Sequence, residues 1–283
     1  MVKKFRAAGL GLLLVATGVL GGISAHADTI GHCTVTGDKA AFKINPAIPG
    51  QITVEVNLPA PVWWNGDTVD SIKDGYEYCL AANIAYRLGL PKVQVKNVDW
   101  DALVAGQTHD FDLALNEISV TPDRQKVVDF SVPYFSSDIG ILVKTGAKFT
   151  AQSIKSARIG IQSGTTGADF VNDKLKPTQP VRVYPDEATL FTAVAAGQVD
   201  AVLTDTADAL GAAAQSHGRL TVLAQYSTGE VYAALYPKGS ANEAVLNEVI
   251  ASLVKDGTTK QLAKTYLAGA WGQDPTKIPY FTP

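Results

Sequence analysis

Three short stretches of this 283-residue chain could do chemistry with a charged ligand, and each falls where a strand ends. Arg124 follows a turn built on Thr121-Pro122-Asp123, after the apolar run Phe111 to Leu115 and before an aromatic segment ending at Phe135. A guanidinium on such a turn offers a planar fork of donors to a carboxylate. Gly164-Thr165-Thr166 lies between a strand pattern and a helix pattern. Its two hydroxyls and free N–H groups make either a small anion site or an ordinary N-cap. It is not a phosphate loop, because the lysine and the glycine spacing are absent. Asp205 ends VDAVLTD and precedes an alanine-rich segment, so it either caps that helix or receives an ammonium. Set across a cleft from Arg124, it completes a pair of opposite charges matching a zwitterion. Charge-assisted hydrogen bonds of this kind contribute about 1.5–3 kcal/mol each, and a few of them give micromolar binding.

The elements that must carry these residues alternate. Gln51 to Asn57 reads as a strand, Tyr76 to Leu88 as a helix stopped by Gly89 and Pro91, Val93 to Val98 as a strand, Trp100 to Ala105 as a short helix, and Phe111 to Leu115 as a buried strand. After the apolar run Ile139 to Val143 the rhythm restarts. Strands are expected at Arg158 to Ile161, Val181 to Tyr184, Ala201 to Thr204 and Val231 to Tyr236, with helices at Ala168 to Leu175, Glu187 to Ala196 and, broken at Gly257, Asn242 to Leu267. Two α/β units with largely parallel sheets follow from this order. No long linker separates them, so they share a cleft. The strands Ile139 to Val143 and Val231 to Tyr236 are the expected crossings, giving a first lobe over residues 28–142, a second over 143–232, and a return to the first over 233–283. Ligands in open α/β sheets sit beyond the carboxyl ends of strands, where Glu117, Thr165 and Asp205 fall.

Lys3, Lys4 and Arg6, an apolar run from Ala7 to Ile23 and Ala25-His26-Ala27 form the pattern of a signal peptide over residues 1–27, cleaved after Ala27. His32 is too bulky to precede a lipidated Cys33, so an exported protein rather than a lipoprotein is expected. The chain has 24 basic and 27 acidic residues. Residues 1–27 hold three of the basic ones and none of the acidic, so the mature chain carries a net charge of −6. That balance argues against nucleic acid and anionic membranes as partners. The two cysteines, Cys33 and Cys79, fit one disulfide in an oxidising compartment. The four histidines form no cluster at ligand spacing, so neither a metal nor a cofactor is called for.

The motifs KDGYEYCLAANIAYRLGL, FDLALNEISVTPDRQKVVDFSVPYF, IGIQSGTTGADFV, AAGQVDAVLTD and LVKDGTTKQLAKTYL, in that order, resemble those of the family 3 extracellular solute-binding proteins over roughly Gln51 to Leu267. These are the polar amino-acid receptors of ABC importers. The resemblance implies a two-lobed periplasmic-binding-protein fold of type II with the ligand between the lobes. It implies that Arg124 holds the ligand α-carboxylate, and that Ser119 contacts carboxylate and ammonium. The N–H of Thr166 would reach the carboxylate, and Asp205 would take the ammonium. An aromatic from the first strand-to-helix loop, Trp63 or Trp64, is implied to stack on the ligand side chain. Tyr76, which opens the next helix, and Thr165 are counted with them.

Asn116-Glu117 departs from the serine pair common at that place. A buried Glu117 beside Asp205 needs a positive partner, which points to a ligand with a second cationic group; a Glu117 turned to solvent or paired with a lysine is the alternative. The implied mechanism is capture by hinge closure near Val143 to Gly146 and Val231 to Tyr236, followed by transient docking of a monomer on a membrane permease. The rival is an enzyme on the same scaffold, similar to periplasmic cyclohexadienyl dehydratases, with Glu117 as general acid.

Overall fold

A computed structural model describes Met1, residues 28–66 and residues 68–283; residues 2–27 of the expected signal sequence fall outside the described residues. The chain opens with a hairpin of β1 (Thr29–Ile30) and β2 (Cys33–Thr34), then β3 (Ile52–Val56), α1 (Tyr76–Leu88), β4 (Val93–Asn97), α2 (Trp100–Val104), β5 (Leu113–Ala114) and β6 (Val128–Phe130). It continues with β7 (Phe135–Lys144), β8 (Ile159–Gln162), α3 (Thr166–Phe170), β9 (Arg182–Tyr184), α4 (Glu187–Ala196), β10 (Ala201–Asp205), α5 (Thr206–Gln215) and β11 (Leu220–Tyr232). It closes with β12 (Leu235–Pro237), α6 (Glu243–Lys255) and α7 (Thr258–Leu262). Two five-stranded sheets result, ordered β4-β3-β5-β12-β6 and β11-β7-β10-β8-β9.

Each sheet is mixed rather than largely parallel. In the first, β3 runs parallel to β4 and β5, while β12 is antiparallel to β5 and β6. In the second, β8 runs parallel to β9 and β10, while β7 is antiparallel to β10 and β11. The βαβ rhythm specifies the parallel halves. The antiparallel strands pair over long sequence distances that no local pattern shows.

Strand pairing also moves the expected division of the chain. β7 pairs along its whole length within the second sheet, with Phe135 opposite Tyr232 and Lys144 opposite Leu220. The passage between sheets therefore lies at residues 131–134, not after 142, and Val143 to Gly146 sits at the far end of the second sheet. In the passage Ser131 N–H donates to Ala234 O at 2.9 Å, and Tyr134 N–H to Tyr232 O at 2.9 Å.

Helix α1 shows how the sequence builds the first half. Tyr76, Leu80, Ile84 and Leu88 recur at helical spacing and are all buried. Gly89 ends the helix in the left-handed region, at φ 73°. At the other end no side chain caps it; the N–H groups of Tyr76 and Glu77 donate to the carbonyls of Val62 and Trp63 at 2.9 and 3.1 Å. Gly75 permits this wrap, since a Cβ there would stand 2.2 Å from the Trp63 oxygen. The expected Cys33–Cys79 bridge is present, with Cα atoms 5.3 Å apart, fastening β2 to α1.

The C-terminal segment does not stay with α6 and α7. Trp271 packs edge-on against Phe135, and Gln225 N–H donates to Pro279 O at 2.9 Å. Phe281 N–H returns to Gln225 O at 2.8 Å, and the Tyr280 hydroxyl donates to Asp138 Oδ2 at 2.8 Å. The last residues thus lie along the free edge of β11. No described helix is long and apolar enough to cross a membrane.

Candidate ligand-binding cleft

Arg124 reaches the cleft from the turn between β5 and β6, in the first sheet's half. Its N–H is received by the Thr121 hydroxyl at 3.2 Å, the turn the sequence specified. The guanidinium donates to Ser119 O at 2.7 Å and, from the other half, to Gly164 O at 2.9 Å. It lies over the Trp100 ring, 5.2 Å from the centroid. Gly164 is required there: at φ 67°, a Cβ would meet Asp101 Oδ1 at 2.5 Å. Burial lowers the guanidinium's pKa, against the opposing pull of Asp205, Glu230 and Asp169.

Asp205 ends β10 on the opposite side. It occupies the N-cap position of α5 but makes no cap hydrogen bond. Its Oδ2 instead accepts from the Tyr232 hydroxyl at 2.7 Å. Burial drives its pKa well up, as do Glu230 and Glu187, while Tyr232 and Arg124 pull it down. Arg124 and Asp205 line one cavity of about 40 Å³, together with Asn116, Glu117, Ser119, Thr165 and Thr166.

Glu117 is held in the left-handed region, at φ 49°, a conformation costly for a residue with a Cβ. Its N–H donates to Glu77 Oε1 at 2.9 Å. Glu77 has no exposed surface, and its carboxylate also accepts from the Trp64 indole at 2.8 Å and from the Tyr134 hydroxyl. Burial raises Glu77 to about 7 despite these three donors. The Glu117 side chain is 8 % exposed, and its Oε1 has no hydrogen-bond partner. Burial first, then the charges of Glu77, Asp208, Glu187 and Asp205, drive its pKa well up. It is neither turned to solvent nor paired with a described lysine.

Thr165 is the N-cap of α3, its hydroxyl accepting from Ala168 N–H at 3.1 Å. The Thr166 hydroxyl donates to Glu230 Oε2 at 2.8 Å, and Ser119 donates to the same oxygen at 2.8 Å. Asn116 Oδ1 accepts from Asn57 N–H at 2.7 Å, tying the end of β3 to this turn.

Two of the expected aromatics, Trp64 and Tyr76, are spent inside the first half, and the third, Trp63, lines a neighbouring compartment. Trp64 is 1 % exposed, spent on Glu77 and stacked edge-on against Tyr78. Tyr76 is fully buried, its hydroxyl donating to Tyr134 O at 3.3 Å. Trp63 is 2 % exposed, packs against Tyr76, Phe135 and Tyr232, and touches a neighbouring compartment rather than the Arg124–Asp205 cavity. The carbonyls of Val62 and Trp63 cap α1, and this folds both indoles inward. The aromatic ring in the cavity wall is Trp100 instead.

Glu187, Asp208 and Glu230 also belong to the site, and no local motif marks them. Asp186 and Glu187 look alike at the start of α4. Asp186 takes the cap, accepting from Thr189 N–H at 2.8 Å, and leaves Glu187 to the cavity. Asp208 sits in the first turn of α5 and shows its role only when α5 is set beside α4.

Two sheets, two chain passages between them, and a buried cavity carrying an arginine from one half and an aspartate from the other define a two-lobed periplasmic-binding-protein fold. Residues 60–269 match the bacterial extracellular solute-binding proteins, family 3, and the chain belongs to that family. It is 30 % identical over 224 residues to the L-cystine-binding protein TcyJ of Escherichia coli (strain K12), covering 77 % of this chain and 80 % of the relative. An ancestral arginine-binding protein bound to arginine superposes with a TM-score of 0.69 at 28 % identity, over 77 % of this chain and 99 % of that one. The ancestral amino acid-binding protein AncCDT-1, a precursor of cyclohexadienyl dehydratase, gives 0.66 at 27 % identity, over 77 % and 95 %.

Proposed function

We propose that this protein captures an amino acid with a cationic side chain and delivers it to an ABC importer. Arg124 receives the α-carboxylate, with Ser119 and Thr166 beside it. Asp205 receives the α-ammonium, and Glu117 faces the second cation. The reading is carried by one observation: Arg124 and Asp205, from opposite halves, line the same buried cavity. The named ligands of the relatives, cystine and arginine, share that zwitterionic head group. Closure turns on residues 131–134 and 233–234, where the chain passes between sheets. The protein works as a monomer, exported through a cleaved signal to the periplasm, and meets its permease through weak, transient contacts on both lobes.

The test is calorimetry on mature protein stripped of ligand by unfolding and refolding, against arginine, lysine, ornithine, histidine, glutamine, glutamate and leucine. Saturable binding of a basic amino acid is expected, weakened at least 100-fold in Arg124→Ala, the loss of about two charged hydrogen bonds. Binding of a neutral or acidic amino acid alone would remove the role given to Glu117. Turnover of prephenate or arogenate, lost in Glu117→Gln, would replace capture with catalysis.

A further inference from the structure

The head-group cavity adjoins a second compartment of about 270 Å³. Pro59, Ala60, Glu117, Glu187, Ala188 and Asp208 line both spaces. The three carboxylates form a collar between them. Past the collar the walls are mostly apolar, with Pro61 and Trp63 from one half and Phe191, Ala195, Gly211 and Ala212 on the facing sides of α4 and α5, and Thr192 and Ser216 among them. Gln215 and Arg219 stand at its outer end. Along α4 the stretch from Glu187 to Ala195 rises roughly 12 Å, the length of a chain of several atoms.

We propose that the ligand continues past the collar. Its side chain places a cationic nitrogen among Glu117, Glu187 and Asp208 and extends a substituent into the outer compartment. The preferred class is then α-amino acids whose distal amine or guanidine carries an alkyl extension. This rests on the amino-acid reading above and narrows it.

Three observations support it. Arg124 and Asp205 line only the inner cavity, so a side chain leading away from a head group held there passes Glu117, which lines both spaces. Glu117 Oε1, buried and without a donor, is the kind of group that a ligand N–H satisfies. The collar holds three carboxylates and no basic side chain, and the raised pKa values of Glu117, Glu187 and Asp208 share burial as their first cause. A cation entering there relieves the mutual repulsion and offsets the cost of holding the carboxylates ionised away from water. The walls nearest the collar are mostly apolar and suit carbon, with the polar groups Thr192, Gln215 and Ser216 farther along.

The experiment compares lysine, Nε-isopropyl-lysine and Nε-acetyl-lysine by calorimetry on ligand-free protein. The isopropyl compound keeps the charge and adds carbon; the acetyl compound adds similar bulk and removes the charge. Nε-isopropyl-lysine should bind at least as tightly as lysine, and Nε-acetyl-lysine at least tenfold more weakly. In Ala212→Phe, which fills the outer compartment from a wall the head group does not reach, the isopropyl compound should lose at least tenfold while lysine stays within threefold. Thr192→Trp, on the exposed side of α4 at the same wall, replaces that variant if Ala212→Phe disturbs lysine binding. Lysine binding with a tenfold or greater loss for the isopropyl compound overturns the extension and leaves the amino-acid reading standing. Equal binding of lysine and Nε-acetyl-lysine overturns the collar. Failure of every amino acid in the wider panel overturns the parent reading, and this one with it.

Discussion

Glu230 offers the sharpest perturbation. One of its oxygens accepts from the hydroxyls of both Ser119 and Thr166, two residues expected beside the ligand carboxylate. A ligand carboxylate oxygen beside Ser119 would lie roughly 5 Å from that oxygen, and the single Ser119 proton can go to only one of the two. Two negative charges at about 5 Å repel by roughly 3 kcal/mol at an effective dielectric constant of 20. Glu230 is half-buried, so solvent screening reduces this to about 1.4 kcal/mol, a factor of about ten in affinity. Glu230→Gln keeps an acceptor for the hydroxyls and removes the charge. It should tighten binding about tenfold by calorimetry in low-salt buffer, with the gain shrinking as salt is added. The matching decarboxylated amine should show no gain, because it presents no carboxylate to repel. Equal gains for amino acid and amine, or weaker binding of the amino acid, would refute the carboxylate placement. The second of those results would instead make the Ser119–Glu230–Thr166 bridge part of what holds the halves together.

Two further outcomes follow from the buried acids and the disulfide. Burial raises both Glu77 and Glu187 to about 7. The folded chain therefore binds more protons than the unfolded chain between about pH 4.5 and 7, and the stability they contribute is fully present below that window and lost as pH rises through it. Urea midpoints should fall across the window, and Glu187→Gln should flatten the slope and exceed the parent at pH 7.5. The bridge spans a sequence separation of 46, so loop-closure entropy predicts a loss of about 2–4 kcal/mol in the Cys33→Ser/Cys79→Ser double variant by urea titration. Reductant should bring the parent down to the same midpoint and leave the variant unmoved.

The sequence displayed those parts of the fold that are written locally. The bounds of α1 and α4 were readable because each ends at a glycine that takes a left-handed conformation, Gly89 and Gly197. The Arg124 turn was readable because Thr121-Pro122-Asp123 has its own turn chemistry. The inward rotation of Trp63 and Trp64 was not, since it depends on which carbonyls the uncapped start of α1 finds. β11 was read only at its end, because most of its partners lie more than 70 residues earlier in β7. The acidic collar was hidden for a related reason. Glu117, Glu187 and Asp208 come from three elements in two halves, and each looks like an ordinary surface acid until the sheets are brought together. Glu117 alone drew notice, because it breaks a motif.

The tail along β11 changes the mechanics of the molecule. The chain passes between its halves near 131–134 and 233–234, and the residues after α7 make a third connection, anchored by Gln225, Tyr280 and Phe281. Two adjacent links allow bending and twisting about the same short seam. A third link set apart from them restrains the twist and leaves a single swing, with a stop set by the slack between Leu267 and Trp271. The last residues of the chain therefore act as a tether that sets how wide the mouth can open.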